Sequence, residues 1–282
     1  MVEVLVHFVV PALVGVLIGI ASGLLGIGGG TVMVPIFRLA FGMSATMSTA
    51  TSLFAIIPTS ISGAISHVKG KTCIPALGIA AGLGGACLSP VGVWLAQLSP
   101  DWLVMLAAAL IIGYSAINMF KKAIKLRPAG QPAAGVDASA SLGEPAVSAP
   151  TADDSSLSRK QLLQGAAIGL VAGLASGYVG VGGGFIMVPL MLSIIGIPMR
   201  KASGTSLIAV MILAIPGVIE QGIIGNINYL AGIAIVIGTI PGAVIGARLV
   251  TKVPERTLRL LFGCFLIVAA VMLVLNEVGI FG

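Results

Sequence analysis

Charged residues are scarce in this chain, and their scarcity excludes an ordinary soluble domain. Asp, Glu, Lys and Arg make up 9% of the sequence and aromatic residues 5%, whereas hydrophobic residues make up 57%. An average soluble domain is about 25% charged. Uncharged apolar stretches such as 103–120 and 229–247 are long enough to cross about 30 Å of hydrocarbon. An apolar soluble core would need polar outer faces that these segments lack, so we predict an all-α integral membrane protein.

Residues for several kinds of chemistry are also missing. The three cysteines are an odd number, which argues against a disulfide framework, and they show no metal-ligand spacing. No Asp, Glu, Lys or Arg lies at the centre of a predicted span, so no carboxylate is placed for a sodium ion or a proton relay. No serine–histidine arrangement of an intramembrane protease is present, and we predict a protein that is not an enzyme and has no cofactor. We expect His67, beside Lys69 and Lys71, to be solvated at the membrane surface.

One segment of the chain occurs twice. Residues 23–35, GLLGIGGGTVMVP, return as residues 177–189, GYVGVGGGFIMVP, at an offset of 154 positions. The same offset relates Thr51-Ser52-Leu53 to Thr205-Ser206-Leu207 without a gap. Self-similarity at a fixed offset indicates a duplicated unit. In a membrane protein, paired interruptions at corresponding places of two repeats point to the substrate site.

Each repeat divides into five apolar segments, of which the second is short. They run at about 4–25, 31–41, 45–66, 74–97 and 102–120, and at about 161–179, 185–196, 202–221, 229–250 and 257–275. At 1.5 Å per residue the second segments cover about 18 Å, roughly half a crossing. We therefore assign a first membrane repeat to 1–125, a flexible cytoplasmic linker rich in Ala, Pro and Ser to 126–158, and a second membrane repeat to 159–282.

The Lys and Arg residues predict the orientation of the repeats. If each repeat has an odd number of passes, the repeats are inverted, both termini are periplasmic and the linker is cytoplasmic. That arrangement places 14 of the 15 basic residues inside and leaves Arg38 outside. If the short segment is instead a re-entrant dip, the split is 8 inside and 7 outside. The positive-inside rule favours the inverted arrangement. The first apolar run lacks a preceding basic region, so we interpret it as a retained span.

The glycine clusters Gly26–Gly30 and Gly180–Gly184, called here the first and second knot, are candidate anion sites. Neither is a Walker A loop, since no Gly-Lys-Ser/Thr follows. Consecutive glycines inside a bilayer break the helix and leave amides that protein or a water-lined cavity must satisfy. The helix that begins after each knot would direct its N-terminal amides and positive dipole end into the knot.

Other glycines and hydroxyls have a structural alternative. We interpret Gly15, Gly19, Gly78, Gly84 and Gly92, with their partners in the second repeat, as positions of close helix packing. The hydroxyls near the knots could bind an oxyanion, or could bond to a carbonyl within their own helix. The sequence leaves these two roles open.

The paired knots, each followed by Val-Pro, and the paired Thr-Ser-Leu segments make the chain resemble the TauE/SafE family of sulfite and organosulfur-anion exporters. The resemblance covers nearly all of the chain apart from the linker. It implies transport of small sulfur-containing or carboxylated anions across a bacterial inner membrane, often outward. It does not fix the substrate.

We therefore expect export of sulfite or an organosulfonate by a multi-pass protein of the bacterial inner membrane. The alternatives are a permease for another small solute, carboxylate or neutral and including an importer, or a non-transporting membrane scaffold. The expected partners are a small anionic substrate and the lipid bilayer, without nucleic acid, and a homodimer is left open. The expected substrate-binding residues are Ser22, Gly26, Gly28, Gly29, Gly30, Thr31, Thr51 and Ser52 in the first repeat and Ser176, Gly180, Gly182, Gly183, Gly184, Phe185, Thr205 and Ser206 in the second.

Overall fold

Ten helices account for the described part of the chain. The computed structural model describes residues 10–125 and 158–277, so all of the predicted linker except Ser158 lies outside the described residues. No strand occurs in these ranges. The helices are α1 (Val10–Leu25), α2 (Gly30–Phe41), α3 (Ala45–Lys69), α4 (Pro75–Leu98), α5 (Asp101–Lys125), α6 (Arg159–Val179), α7 (Gly184–Leu190, continued as a π-helix over Met191–Ile195), α8 (Met199–Ile224), α9 (Tyr229–Leu249) and α10 (Glu255–Glu277). The all-α prediction with a short second helix in each repeat is confirmed.

Local sequence sets the helix ends in the same way in both repeats. Gly42 and Gly196, at equivalent positions, end the second helices in the left-handed conformation, with φ of 62° and 77°. Glycine takes this conformation without a steric penalty. The acidic residue that opens each fifth helix reaches the start of the third helix of its own repeat. Asp101 accepts a hydrogen bond from the Ala45 amide at 3.3 Å, and Glu255 accepts one from the Met199 amide at 3.3 Å.

The closest helix pairs join one repeat to the other. Helix α1 packs against α9, and α4 packs against α6. Glycines make these approaches possible, since a Cβ on Gly169 would overlap the carbonyl oxygen of Ala81 and one on Gly238 would overlap that of Ala12. Helices in membranes commonly associate through such small residues. The packing role predicted for Gly15, Gly84 and their partners is therefore confirmed.

The third helices of the two repeats run in opposite directions. Gly63 of α3 contacts Leu207 of α8, whereas Gly217, further along α8, contacts Leu53, which is earlier in α3. By the same criterion α1 and α9 are parallel, because Gly15 contacts Gly238 and Gly23 contacts Ala247. The central helix pair of the fold therefore consists of equivalent helices in antiparallel arrangement.

The outer surface of the helices is apolar. Seven of the described helices, each 20 to 26 residues long, are long and apolar enough to cross a membrane. Large apolar side chains are exposed on them, including Leu110 at 66% and Ile223 at 82%. Soluble proteins rarely expose contiguous apolar surface of this extent. The fold is that of a multi-pass integral membrane protein.

Candidate functional site

The two knots share one backbone conformation. Three glycines in each have positive φ: Gly26 (76°), Gly28 (78°) and Gly29 (86°), and at the equivalent positions Gly180 (73°), Gly182 (88°) and Gly183 (65°). Residues other than glycine pay about 1–2 kcal/mol in this region. The glycines are therefore required by the path of the chain between α1 and α2 and between α6 and α7.

The knots contact each other in the interior. A Cβ on Gly30 would lie 2.5 Å from the carbonyl oxygen of Val181, and one on Gly184 would lie 2.5 Å from that of Gly26. All residues of both knots are buried. The starts of α2 and α7 therefore lie side by side in the interior.

Several knot amides have no hydrogen-bond acceptor in the described part of the chain. This holds for residues 27–31 in the first repeat and for residues 181–183 and Phe185 in the second. Neighbouring amides do have acceptors: the Met33 amide donates to the Gly29 carbonyl, and the Gly184 amide donates to the Gly182 carbonyl. Buried amides without an acceptor are costly, and those at a helix start favour an anion. The knots therefore present two sets of unpaired donors.

Buried hydroxyls that have no partner among the described residues lie beside these amides. Ser22 lies next to Gly29 and Ser176 next to Gly183, with the serine Cβ 3.6 and 3.4 Å from a Cβ built on the glycine. Thr31, in the first turn of α2, is also unpaired, whereas Phe185 occupies its place in α7. Buried polar groups are normally hydrogen-bonded. The three hydroxyls are thus free to donate to a ligand.

Ser60 is a candidate that the sequence comparison missed. Its buried Oγ has no partner in the described residues and lies 3.5 Å from a Cβ built on Gly28. The equivalent residue in the second repeat is Ala214, so a search for residues shared by both repeats could not find it.

Two apolar side chains fill the space between the knots. Ile56 and Val210 occupy equivalent positions on α3 and α8, and both are fully buried. Each lies against Gly28 of the first knot and Gly182 of the second. No sequence signal distinguishes them from other core residues. A substrate could reach the amides only if these side chains moved.

Thr51 and Thr205 are engaged by the opposite repeat. The Thr51 hydroxyl accepts a hydrogen bond from the Asn228 amide at 3.0 Å, and Thr205 accepts one from the Ile74 amide at 2.9 Å. Asn228 and Ile74 are the N-cap residues of α9 and α4. Each threonine thus satisfies a backbone donor at the start of a helix in the other repeat. Both threonines therefore have a structural role.

The second hydroxyl of each Thr-Ser pair differs between the repeats. Ser206 donates to the Gly26 carbonyl at 2.7 Å and lies 2.8 Å from that of Ser203. The equivalent Ser52 is buried and has no partner within the described ranges. Ser206 therefore supports the first knot, and Ser52 remains available.

We predict that Thr51→Val lowers the thermal stability of the purified protein. The change leaves the half-buried Asn228 amide without its acceptor, which costs about 1 kcal/mol. Thr51→Ser keeps the hydroxyl and serves as the control. Melting temperature and substrate affinity measured on both variants separate the two roles. A lower substrate affinity with an unchanged melting temperature would contradict the structural role and would indicate that Thr51 binds the substrate.

His67 is fully buried, so the expectation that it is solvated is wrong. It lies where α3 meets the end of α1, and its Nε2 is 2.8 Å from the Gly23 carbonyl oxygen. The neighbouring lysines suggested solvent exposure. The ring instead turns inward to the Gly23 carbonyl, and the sequence gives no sign that Gly23 lies close to it.

No group of three or more His, Cys, Asp or Glu residues that could hold a metal ion occurs in the described ranges. The candidate site consists of neutral donors from backbone and hydroxyls. Such a site can bind and release an anion, and its residues include no nucleophile paired with a base.

Comparisons with known proteins identify relatives named as membrane transporters. The chain is 27% identical to the probable membrane transporter protein YunE of Bacillus subtilis, over 97% of this chain and 99% of YunE. It is 28% identical to a probable membrane transporter protein of Haemophilus influenzae, over 94% of this chain and 97% of that protein. No solved structure is significantly similar to it. Residues 11–273 match the family described as "Sulfite exporter TauE/SafE", and the chain therefore belongs to this family of membrane transporters.

Proposed function

We propose that this membrane transporter carries a small oxyanion, sulfite or an organosulfonate, outward across the bacterial inner membrane. The observation that carries the proposal is the meeting of two knots in which several buried amides, and the hydroxyls beside them, have no protein partner in the described residues. Unpaired N–H and O–H donors match the acceptor oxygens of sulfite and sulfonate groups. The family description supports the same substrate class.

The proposed binding site consists of the knot amides with Ser22, Thr31 and Ser60 beside the first knot, Ser176 beside the second, and the unpaired Ser52 of α3. Ser206 supports the first knot, and Thr51 and Thr205 accept from the amides at the starts of α9 and α4. In this conformation Ile56 and Val210 fill the space between the knots. Transport then requires the two side chains to separate as α3 and α8 shift.

The proposed arrangement in the membrane is an inverted repeat. Antiparallel equivalent helices, such as α3 and α8, are related by a two-fold axis perpendicular to them. In a membrane that axis lies in the bilayer plane, as in transporters with inverted-topology repeats. An inside-negative potential favours the exit of an anion by about 2.3 kcal/mol per charge per 100 mV.

Efflux from vesicles tests the substrate directly. Purified protein is reconstituted and loaded in turn with sulfite, thiosulfate, sulfoacetate, taurine or a simple carboxylate, and release is followed with and without a membrane potential. We expect sulfite or a sulfonate to leave fastest, accelerated by a potential negative inside. Release of neutral solutes alone would favour the general permease, and no release of any solute would favour the scaffold.

We predict that Ser139→Cys, in the linker, is not labelled by a membrane-impermeant thiol reagent added to intact cells. The reason is the distribution of basic residues, which favours a cytoplasmic linker under the positive-inside rule. The background lacks Cys73, Cys87 and Cys264, and Gly282→Cys, at the terminus expected outside, is the matched control that should be labelled. The reverse labelling pattern would overturn the orientation.

A further inference from the structure

His67 connects three segments of the fold through its ring. Nε2 donates a hydrogen bond to the Gly23 carbonyl of α1 at 2.8 Å, and Nδ1 lies 2.7 Å from the Thr72 hydroxyl in the connection to α4. The ring also packs on α8, where a Cβ on Gly204 would be 2.8 Å from it. Because a carbonyl only accepts, the proton on Nε2 is fixed by geometry.

The ring shares neighbours with the first knot. Gly23, whose carbonyl accepts the hydrogen bond from Nε2, follows the unpaired Ser22 and precedes the knot by one turn. Gly204, which packs on the ring, follows Ser203, and a Cβ on Gly26 would lie 2.5 Å from the Ser203 Cα. The imidazole and the knot therefore share neighbours on both α1 and α8.

The second repeat holds an uncharged pair at the same place. Gln221 and Asn226 are equivalent to His67 and Thr72, and the Gln221 side-chain oxygen accepts a hydrogen bond from Asn226 at 2.8 Å. Gln221 is 1% exposed, as buried as its counterpart. An amide pair therefore fills this position without titrating, which makes the histidine in the first repeat a chemical difference rather than a requirement of packing.

We propose that His67 binds a proton when an anion binds at the first knot, an inference that rests on the proposed transport function. In the neutral ring, Nδ1 accepts from the Thr72 hydroxyl. In the protonated ring, Nδ1 donates to the same oxygen, and the hydroxyl proton turns to the His67 carbonyl, which is 3.3 Å away. Every hydrogen bond of the ring is kept in both forms.

An anion at the knot supplies the negative charge that a protonated ring needs as its partner. A buried cation is costly unless it is paired with an opposite charge. The ring is also at the carbonyl end of α1, where a positive charge is favoured. Anion and proton therefore strengthen each other's binding, and the effect is reciprocal by linkage.

Other charged and titratable groups on the surrounding elements are few. The described part of α1 carries no charged residue, and the Glu255 carboxylate near the start of α8 is paired with Arg259. Lysine, arginine and cysteine ordinarily titrate above about pH 8. The remaining titratable groups on the elements packed around the ring are Lys69, Lys71, Cys73, Arg200, Lys201, Glu220 and Arg248, of which Glu220 lies near the opposite end of α8.

The test is the pH dependence of anion affinity in the full-length protein. Thiosulfate is the probe, because it stays a dianion between about pH 5 and pH 8, the range in which histidine titrates. We expect its Kd to fall by up to about tenfold for each unit of decreasing pH, the limit for one linked proton. His67→Gln, which copies the residue of the second repeat, should bind thiosulfate with a Kd that does not change with pH.

Two further variants keep the test decisive. Gln221→Leu, the matched change in the other repeat, should retain the pH dependence. Thr72→Val keeps the imidazole but removes its Nδ1 partner, and should shift the midpoint of the pH dependence even if His67→Gln does not fold. A pH-dependent Kd in His67→Gln, or a pH-independent Kd in the unaltered protein, would overturn the inference alone. Failure of the unaltered protein to bind any oxyanion would overturn both the inference about His67 and the proposed function.

Discussion

Gly29→Val and Gly183→Val are each expected to abolish transport and substrate binding while leaving a folded protein in detergent. Both glycines have positive φ, 86° and 65°, which a β-branched residue rarely adopts. The added side chain would stand beside Ser22 or Ser176 and hold an oxyanion away from the knot amides. Binding of the best substrate from the efflux screen and the melting temperature of each variant are the measurements.

The two knot variants should differ in stability. Around Gly29 the nearest atoms to a Cβ are the ends of Ile18 and Met33, at 3.0 and 3.1 Å, and these can move. Around Gly183 the nearest atom is the backbone carbonyl of Ala172 at 3.0 Å, which cannot. Gly183→Val should therefore melt at a lower temperature than Gly29→Val, although both lose binding.

Gly42→Val and Gly196→Val are the matched controls. These glycines also have positive φ, 62° and 77°, but nothing lies within 4 Å of a Cβ at either position. They impose similar backbone strain outside the knots, about 1–2 kcal/mol each. Both controls should bind substrate normally. Unchanged affinity in the knot variants would mean that the anion binds elsewhere.

The sequence predicted those parts of the fold that depend on short-range chemistry. Apolar length specified the helices, and the conformational freedom of glycine located the knots, because only glycine adopts the positive φ of Gly28 and Gly182 without strain. The 154-residue offset added the correspondence between repeats. Each of these signals lies within a few residues or in a direct comparison of two segments.

Contacts between the repeats could not be predicted in the same way. The partners of Thr51 and Thr205 are 177 and 131 residues away, and nothing in either segment identifies the other. Ser60 and His67 have no identical counterpart in the second repeat, so the comparison that located the knots passed over them. Positions where the repeats differ can give the two repeats different chemistry. Such positions are recognised only when the packing of the helices is known.

The glycines at the helix contacts form a second class, for which loss of transport should follow loss of the fold. Gly169→Val and Gly238→Val are expected to destabilise the protein by more than about 3 kcal/mol each, the upper end for overpacked side chains. The obstacle here is backbone, since the new Cβ meets the carbonyl oxygen of Ala81 or Ala12. The helices must separate, and with them the two repeats.

Gly113→Val on α5 is the control for this class, because Gly113 is helical and nothing lies within 4 Å of a Cβ built on it. It should keep a melting temperature close to that of the unaltered protein. Gly169→Val and Gly238→Val should instead yield little monodisperse protein after extraction, measured by size-exclusion chromatography and thermal unfolding. If they remain as stable as Gly113→Val, the contacts of α4 with α6 and of α1 with α9 are not what joins the repeats. Knot variants that unfold as readily as these would, in turn, remove the distinction between glycines that bind and glycines that pack.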